Sequence, residues 1–363
     1  MKLENIPEGE AAKIKHVAEL TLKQLERRYA EAPCFLRGVH AKDHGCVKAT
    51  FTVRRDLPHH LRVGVFATPG KTFDAWIRFS NADVLVKSDT APGTDAKPAT
   101  DTTPAIPSKP PIHGSRGMAI KLLNVAGEPL LPDVKPLTQD FLMINQPMFA
   151  FANVADYEVL SQVLEKKDDP SPFFQKQLTS SDPLVQQRAK VTLGVVTEIQ
   201  RTLVASPVET RYFSAAPFGF GASQVMKYSA HPTMPFTAAA PDFNDPNYLR
   251  AALTKRLTSG LPDVTFDFQI QLQDACEVEG DVDVQIENAC TKWPGENFPF
   301  ETVATIRISP QDFNTAERRA ECEALVFNPW HSITEHRPLG GINRLRRDVY
   351  LASSERRLRS SVE

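Results

Sequence analysis

At 363 residues the chain can build one large core or two moderate ones. Its 41% hydrophobic and 24% charged residues are an ordinary globular composition, and a formal net charge of −2 gives no global pull toward nucleic acid or anionic membrane. No apolar run approaches the roughly 20 residues that span a bilayer. The start, Met1-Lys-Leu-Glu-Asn-Ile-Pro7, lacks the apolar stretch of a secretory signal, so a cytoplasmic protein is expected.

Ala11, Ile14, Ala18, Leu22 and Leu25 recur near the 3.6 period, which predicts a helical N-terminal arm within residues 1–33, closed by Pro33. Phe35 to Phe51, interrupted by Gly45, predicts one or two strands; Gly64–Ala67 and Phe73–Ser80 predict two more. Residues 87–111 turn to Pro, Thr, Ala and Asp without periodicity, a long loop whose prolines exclude a central strand. Gly117–Leu123 and Asp140–Asn145 return as strands. A helical insertion is expected over 155–205, with apolar spacing at Tyr157–Lys166 and Leu184–Leu203. Further strand patterns follow at Glu209–Phe213, Val225–Ser229, Val264–Gln273 and Phe300–Ile308, interrupted by a short helix at Asn247–Thr258. Phe266 to Leu272 alternates strictly, the mark of a strand with one wet face.

The sum is about eight strands in two groups of four, split by helices and flanked by them. That pattern predicts an α+β protein built on a closed antiparallel eight-stranded β-barrel, with one domain over 34–363. Five cysteines, Cys34, Cys46, Cys276, Cys290 and Cys322, are odd in number and form no C-x-x-C pair, so they are expected as free thiols. His40 and His44 make an H-x-x-x-H spacing in a strand-like stretch without the glutamate of a metal-hydrolase motif. No nucleophile elbow, phosphate loop or dinucleotide fingerprint occurs. The basic run Arg344–Arg359 is interrupted by Asp348 and Glu355 and holds one aromatic, Tyr350, which argues against a nucleic-acid patch.

Within the segment 328–357, Arg346 and Tyr350 stand four residues apart, one turn of a helix on one face. A guanidinium beside a phenol favours the phenolate, a hard anionic oxygen able to hold ferric haem iron. Upstream, Arg37-Gly-Val-His40-Ala-Lys-Asp-His-Gly45 resembles the segment that carries the distal histidine of the haem catalases. Trp76-Ile-Arg78-Phe-Ser80, Arg116-Gly-Met-Ala-Ile-Lys121 and Thr291-Lys-Trp-Pro294, with Pro299 after it, follow in the order that family needs. From about Arg37 to Arg357 the chain thus resembles the catalase-related superfamily, and in its length the smaller catalase-like peroxidases.

That resemblance implies a catalase-like barrel holding haem b, with Tyr350 as the axial ligand of the iron, as tyrosine is in catalases. It implies His40 as the distal acid–base group, oriented by Ser80, with Val39 over the haem. Arg37, Arg78 and Arg357 match the propionate arginines, and Phe149 or Phe151 would be an apolar ring on the distal side. Catalases place a distal asparagine in a run ending in proline. In Ile144-Asn145-Gln146-Pro147, Ile144 takes the working position and Asn145 falls one residue late. A slip of the chain brings Asn145 into place, while an unshifted strand turns it away. The implied activity is use of peroxide to oxidise a small organic donor, with weak catalase activity, and the implied assembly is a homodimer. The rival readings are a fatty-acid hydroperoxide-converting enzyme and a non-catalytic haem-binding protein. Val39 leans away from the first, since allene oxide synthases resemble a threonine there, and His40 leans away from the second.

Overall fold

The computed structural model describes residues 3–93, 108–132, 136–234 and 240–360. Its strands are β1 (Asp43–Val53), β2 (Thr72–Asn81), β3 (Thr90–Ala91), β4 (Ile112–His113), β5 (Arg116–Leu122), β6 (Gln139–Ile144), β7 (Tyr212–Phe213), β8 (Phe218–Phe220), β9 (Gln224–Pro232), β10 (Val264–Asp274) and β11 (Glu301–Ile308). Its helices are α1 (Glu10–Arg28), α2 (Val154–Lys166), α3 (Ser171–Leu178), α4 (Pro183–Arg201), α5 (Tyr248–Thr258), α6 (Ala275–Val278), α7 (Val282–Gln285), α8 (Ala316–Ala324) and α9 (Gly341–Ser360).

Antiparallel pairing runs β1–β2–β5–β6–β7–β9–β10–β11 and returns from β11 to β1. Eight strands therefore close a barrel, four before α2–α4 and four after, with β6 and β7 joined at the single pair Ile144 and Phe213. β8 pairs with β9 and is also bridged to Pro338, and β3 and β4 make a separate two-residue ladder. The middle of the 87–111 segment, 94–107, lies outside the described residues.

Alternation decides what fills the barrel. Phe51, Phe73, Phe79, Phe141, Phe266 and Phe268 belong to one buried cluster, with Phe66 capping it from a loop. Phe141 sits 4.7 Å from Phe268 and 5.0 Å from Tyr228, ring centre to ring centre. The opposite face of the same strands carries Cys46, Arg78, Ser80, Ala119 and Leu142, and it is this outer face that holds the site.

Two expected strands change character. Gly64–Phe66 is a 3-10 turn, because Gly64 adopts a φ of 56° and the ring of His336 fills the space where a side chain would stand. Of Glu209–Phe213 only Tyr212 and Phe213 join the sheet. Several elements have no counterpart in the apolar spacing: α3, which bridges α2 and α4, α8, and the short β8, α6 and α7. Only Cys322 is buried along α8, so its sequence has no apolar stripe to read.

α9 is anchored before it begins. Asp140 on β6, fully buried, accepts from Lys121 Nζ at 2.6 Å and from the Asn328 backbone N–H at 3.0 Å, and lies 3.2 Å from His331 Nδ1. The Trp330 indole N–H then donates to the Asn343 carbonyl at 2.7 Å. This buried pair and its hydrogen bonds fix where α9 starts relative to the barrel, and α9 packs its other side on α1 through Ile14, Val17, Ile342 and Leu345. Among the described residues, no helix is long and apolar enough to cross a membrane.

Candidate active site

Between the outer face of β2–β5–β6 and helix α9 lies a cavity lined from both sides. The sheet contributes Arg78 and Ser80 from β2, and, in register with Arg78 across the ladder, Ala119 of β5 and Leu142 of β6. From α9 come Arg346, Val349, Tyr350, Ser353, Ser354 and Arg357, which recur at three and four residues and so share one helical face. The segment 37–40 closes one side. Arg37, Val39, His40, Arg78, Ser80, Arg346, Tyr350 and Arg357, singled out from sequence, thus line one cavity.

His40 stands before β1 with a φ of 55°, a left-handed conformation uncommon for any residue but glycine. Its Nδ1 is hydrogen-bonded to Ser80 Oγ at 2.9 Å. The ring rests directly on the Gly117 backbone: a Cβ there would collide with the His40 imidazole and with Ser80 Oγ. Burial, then the charges of Arg78, Arg346 and Arg37, lower the His40 pKa to about 3. The imidazole is therefore neutral at pH 7.

Tyr350 faces the same cavity, with the Arg346 guanidinium 5.9 Å from its ring centre. Arg346 is held in turn by Asn343, whose Oδ1 accepts from it at 3.2 Å. Among the described residues, no group of three or more His, Cys, Asp or Glu could hold a bare metal ion.

The cavity is cationic. Four arginines line it, and no carboxylate is among the lining side chains. Arg37 donates to Glu323 at 2.5 Å and to the Leu325 carbonyl at 2.9 Å; Arg357 donates to the Glu323 and Leu325 carbonyls. These two guanidinia thus satisfy the exposed carbonyls at the C-terminus of α8, where positive charge is favoured. Burial and the neighbouring Arg78 lower the Arg37 pKa; burial and Arg37 lower that of Arg357 to about 10. Arg78, only 3% exposed, has one long hydrogen bond, 3.4 Å to the Ala41 carbonyl, and its Nε has no partner. A buried charge left in that state costs several kcal/mol, so the cluster is built for an anion. One apolar wall, one tyrosine, one histidine and a cluster of arginines fit a flat porphyrin with two carboxylates.

Three sequence expectations fall outside this cavity. β6 pairs with β5 residue for residue from Gln139 to Ile144. Asn145 then lies past the strand end, its amide oxygen accepting from the Arg116 N–H at 2.7 Å and the Ser115 hydroxyl at 3.1 Å, off the cavity wall. Its Nδ2 is buried without a partner. Phe149 and Phe151 also leave the lining: they pack with Tyr157 and Phe173 between α2 and α3, and Phe149 backs Arg346 at 5.8 Å. Sequence reasoning missed Gly117, Ser353 and Glu323. Ser353, which accepts from the Gly38 N–H at 3.0 Å, was readable as the residue three after Tyr350 on the same face. Glu323 belongs to the unread α8 and carried no signal.

No protein-family model matches the chain, and no curated protein sequence does. Solved structures do. The chain is similar to a fungal catalase (TM-score 0.66, 92% of this chain and 61% of that one) and to a bacterial catalase (TM-score 0.62, 92% and 59%). It is also similar to catalase A from Saccharomyces cerevisiae (TM-score 0.64, 92% and 63%), and all three are 16% identical to it. The chain spans about three-fifths of the length of these catalases. A barrel of this topology wrapped by helices, matched over nine-tenths of its length, gives this chain a catalase-like fold.

Proposed function

We propose that this chain is a haem enzyme that acts on peroxide, using it to oxidise a small organic donor. The observation that carries the reading is a single cavity holding Tyr350, His40 and four arginines, of which Arg37 and Arg357 share the one carboxylate of Glu323. In this reading Tyr350 would hold the iron through its oxygen, with the Arg346 guanidinium one turn before it and 5.9 Å from its ring centre. Arg37, Arg78 and Arg357 pair with the two propionates, charge-assisted contacts in which the planar guanidinium matches a carboxylate. Haem, when bound, supplies the redox chemistry.

The chain supplies the proton chemistry. In this reading His40 would take a proton from the incoming peroxide oxygen and return it to the oxygen that leaves. Ser80 and the Gly117 backbone hold the ring for that transfer. The left-handed backbone at His40 is the strain the site carries to keep it there. Val39 and Leu142 add apolar wall, which limits water around the reacting oxygens. Because Asn145 stays off the cavity wall, a second peroxide lacks an amide donor beside His40. This favours donor oxidation over fast dismutation.

The test is turnover after reconstitution with haem, comparing the unmodified chain with His40→Ala. The expected result is peroxide-dependent oxidation of a small phenol with little oxygen release, reduced about 10²- to 10⁴-fold in His40→Ala. Dominant oxygen release would move the reading to dismutation, and turnover indifferent to His40→Ala would remove the proton role.

A further inference from the structure

The arginines of the cavity are not equivalent. Arg37 donates to three groups at the end of α8: the Cys322 carbonyl at 3.0 Å, the Leu325 carbonyl at 2.9 Å and the Glu323 carboxylate at 2.5 Å. Arg357 donates to the Glu323 and Leu325 carbonyls, and its Nη1 lies 3.9 Å from the same carboxylate. Arg78, by contrast, keeps one long bond to the Ala41 carbonyl and a buried Nε without a partner.

Glu323 is unusual for its place. It is the last residue but one of α8, where the carbonyl end of the helix disfavours a negative charge. Its carboxylate meets one guanidinium closely and the other at a distance, so one negative charge serves two positive ones. The Glu323 side chain is 38% exposed, against 13% for Arg37 and 4% for Arg357. Rotation about its own torsions therefore carries the carboxylate into water without moving α8. The main-chain carbonyls meanwhile keep both guanidinia in place, whichever carboxylate faces them.

We propose that Glu323 is a built-in stand-in for a ligand carboxylate: it occupies an anion seat on Arg37 and Arg357 and is displaced when a ligand with two carboxylates binds. One ligand carboxylate goes to Arg78, whose donors are unspent, and the other takes the place of Glu323. The same residue then acts in two directions. With the cavity empty of ligand it spares Arg37 and Arg357 the cost of standing buried side by side without an anion. When the ligand arrives, breaking the Glu323 contact subtracts from the affinity. The seat follows from the contacts at the end of α8; that its occupant is a haem propionate rests on the function proposed above.

The test compares the full-length chain with Glu323→Gln, which keeps the shape and removes the charge. Haem titrated into the haem-free proteins and followed by absorbance should bind Glu323→Gln about fivefold tighter, the scale of one partly exposed ion pair. Glu323→Asp, whose shorter side chain withdraws the charge, should fall between the two. Haem dimethyl ester, whose esterified propionates carry no charge, should bind all three chains equally. Thermal midpoints read the same claim independently: without haem Glu323→Gln should melt lower than the unmodified chain, and with haem no lower. Haem binding that is equal or weaker in Glu323→Gln, or an equal gain with the dimethyl ester, would overturn the inference. A midpoint lowered alike with and without haem would make Glu323 an ordinary structural partner and overturn it too. If no chain takes up haem, the haem reading falls and inorganic phosphate decides the seat. Phosphate should then raise the midpoint of Glu323→Gln more than that of the unmodified chain, and an equal rise would overturn the inference.

Discussion

At the scale of residues, the site depends on histidines kept neutral by burial. Burial and neighbouring cations hold His40 at about 3 and His44 well below its ordinary value, and burial holds His336 at about 4. In the unfolded chain each titrates near 6.5. Between those values the unfolded state binds protons that the folded state refuses, so stability falls as pH drops from about 6.5 toward 4, by about 1.4 kcal/mol per pH unit for each group. Denaturant midpoints measured over that window should fall with pH, and fall less steeply in His336→Gln; a flat profile would contradict the burial argument. The residues of the site were largely legible in the sequence, because Arg37, His40, Arg78, Ser80, Tyr350 and Arg357 sit in short motifs whose order is itself informative. Asn145, Phe149 and Phe151 were not, because where they point depends on how β6 ends.

At the scale of elements, three strands and one helix make the cavity, and their close approach matters as much as their side chains. The β2–β5 ladder places Ser80 opposite Gly117, and the missing Cβ of Gly117 is what admits the His40 ring. In Gly117→Ala the imidazole must move away and release Ser80. The expected outcome is an unchanged circular dichroism spectrum, a stability loss of about 1–3 kcal/mol from overpacking, and peroxide turnover at least tenfold lower. Full turnover in that variant would show that the His40–Ser80 contact is dispensable. Elements with a clear period were readable in advance: α1, α4, α5 and the long strands β9 to β11. α8 was not, since a helix with a single buried position has no pattern, and Gly64–Phe66 looked like a strand because its apolar residues cap the barrel from a turn.

At the scale of the whole molecule, a closed ring of eight strands filled with phenylalanine gives the outer site a rigid floor. Phe141 is central, with Phe51, Phe66, Phe268 and Tyr228 around it. Phe141→Ala should cost about 3–5 kcal/mol, read as a shift in denaturant midpoint, whereas exposed Leu184→Ala on α4 should stay within about 0.5 kcal/mol. Equal effects would mean that the barrel interior does not carry the stability. The eight-strand count, the split by helices and the expectation of a closed ring followed from the strand pattern, and the family resemblance supported closure, because pairing between distant strands leaves no local mark. The central claim is that Tyr350 holds iron in the cavity that His40 shares. Its most direct test is the absorption spectrum of the haem-reconstituted chain beside that of Tyr350→Phe: a ferric spectrum with a phenolate ligand is predicted for the first and its loss for the second. An identical spectrum in both would contradict the account.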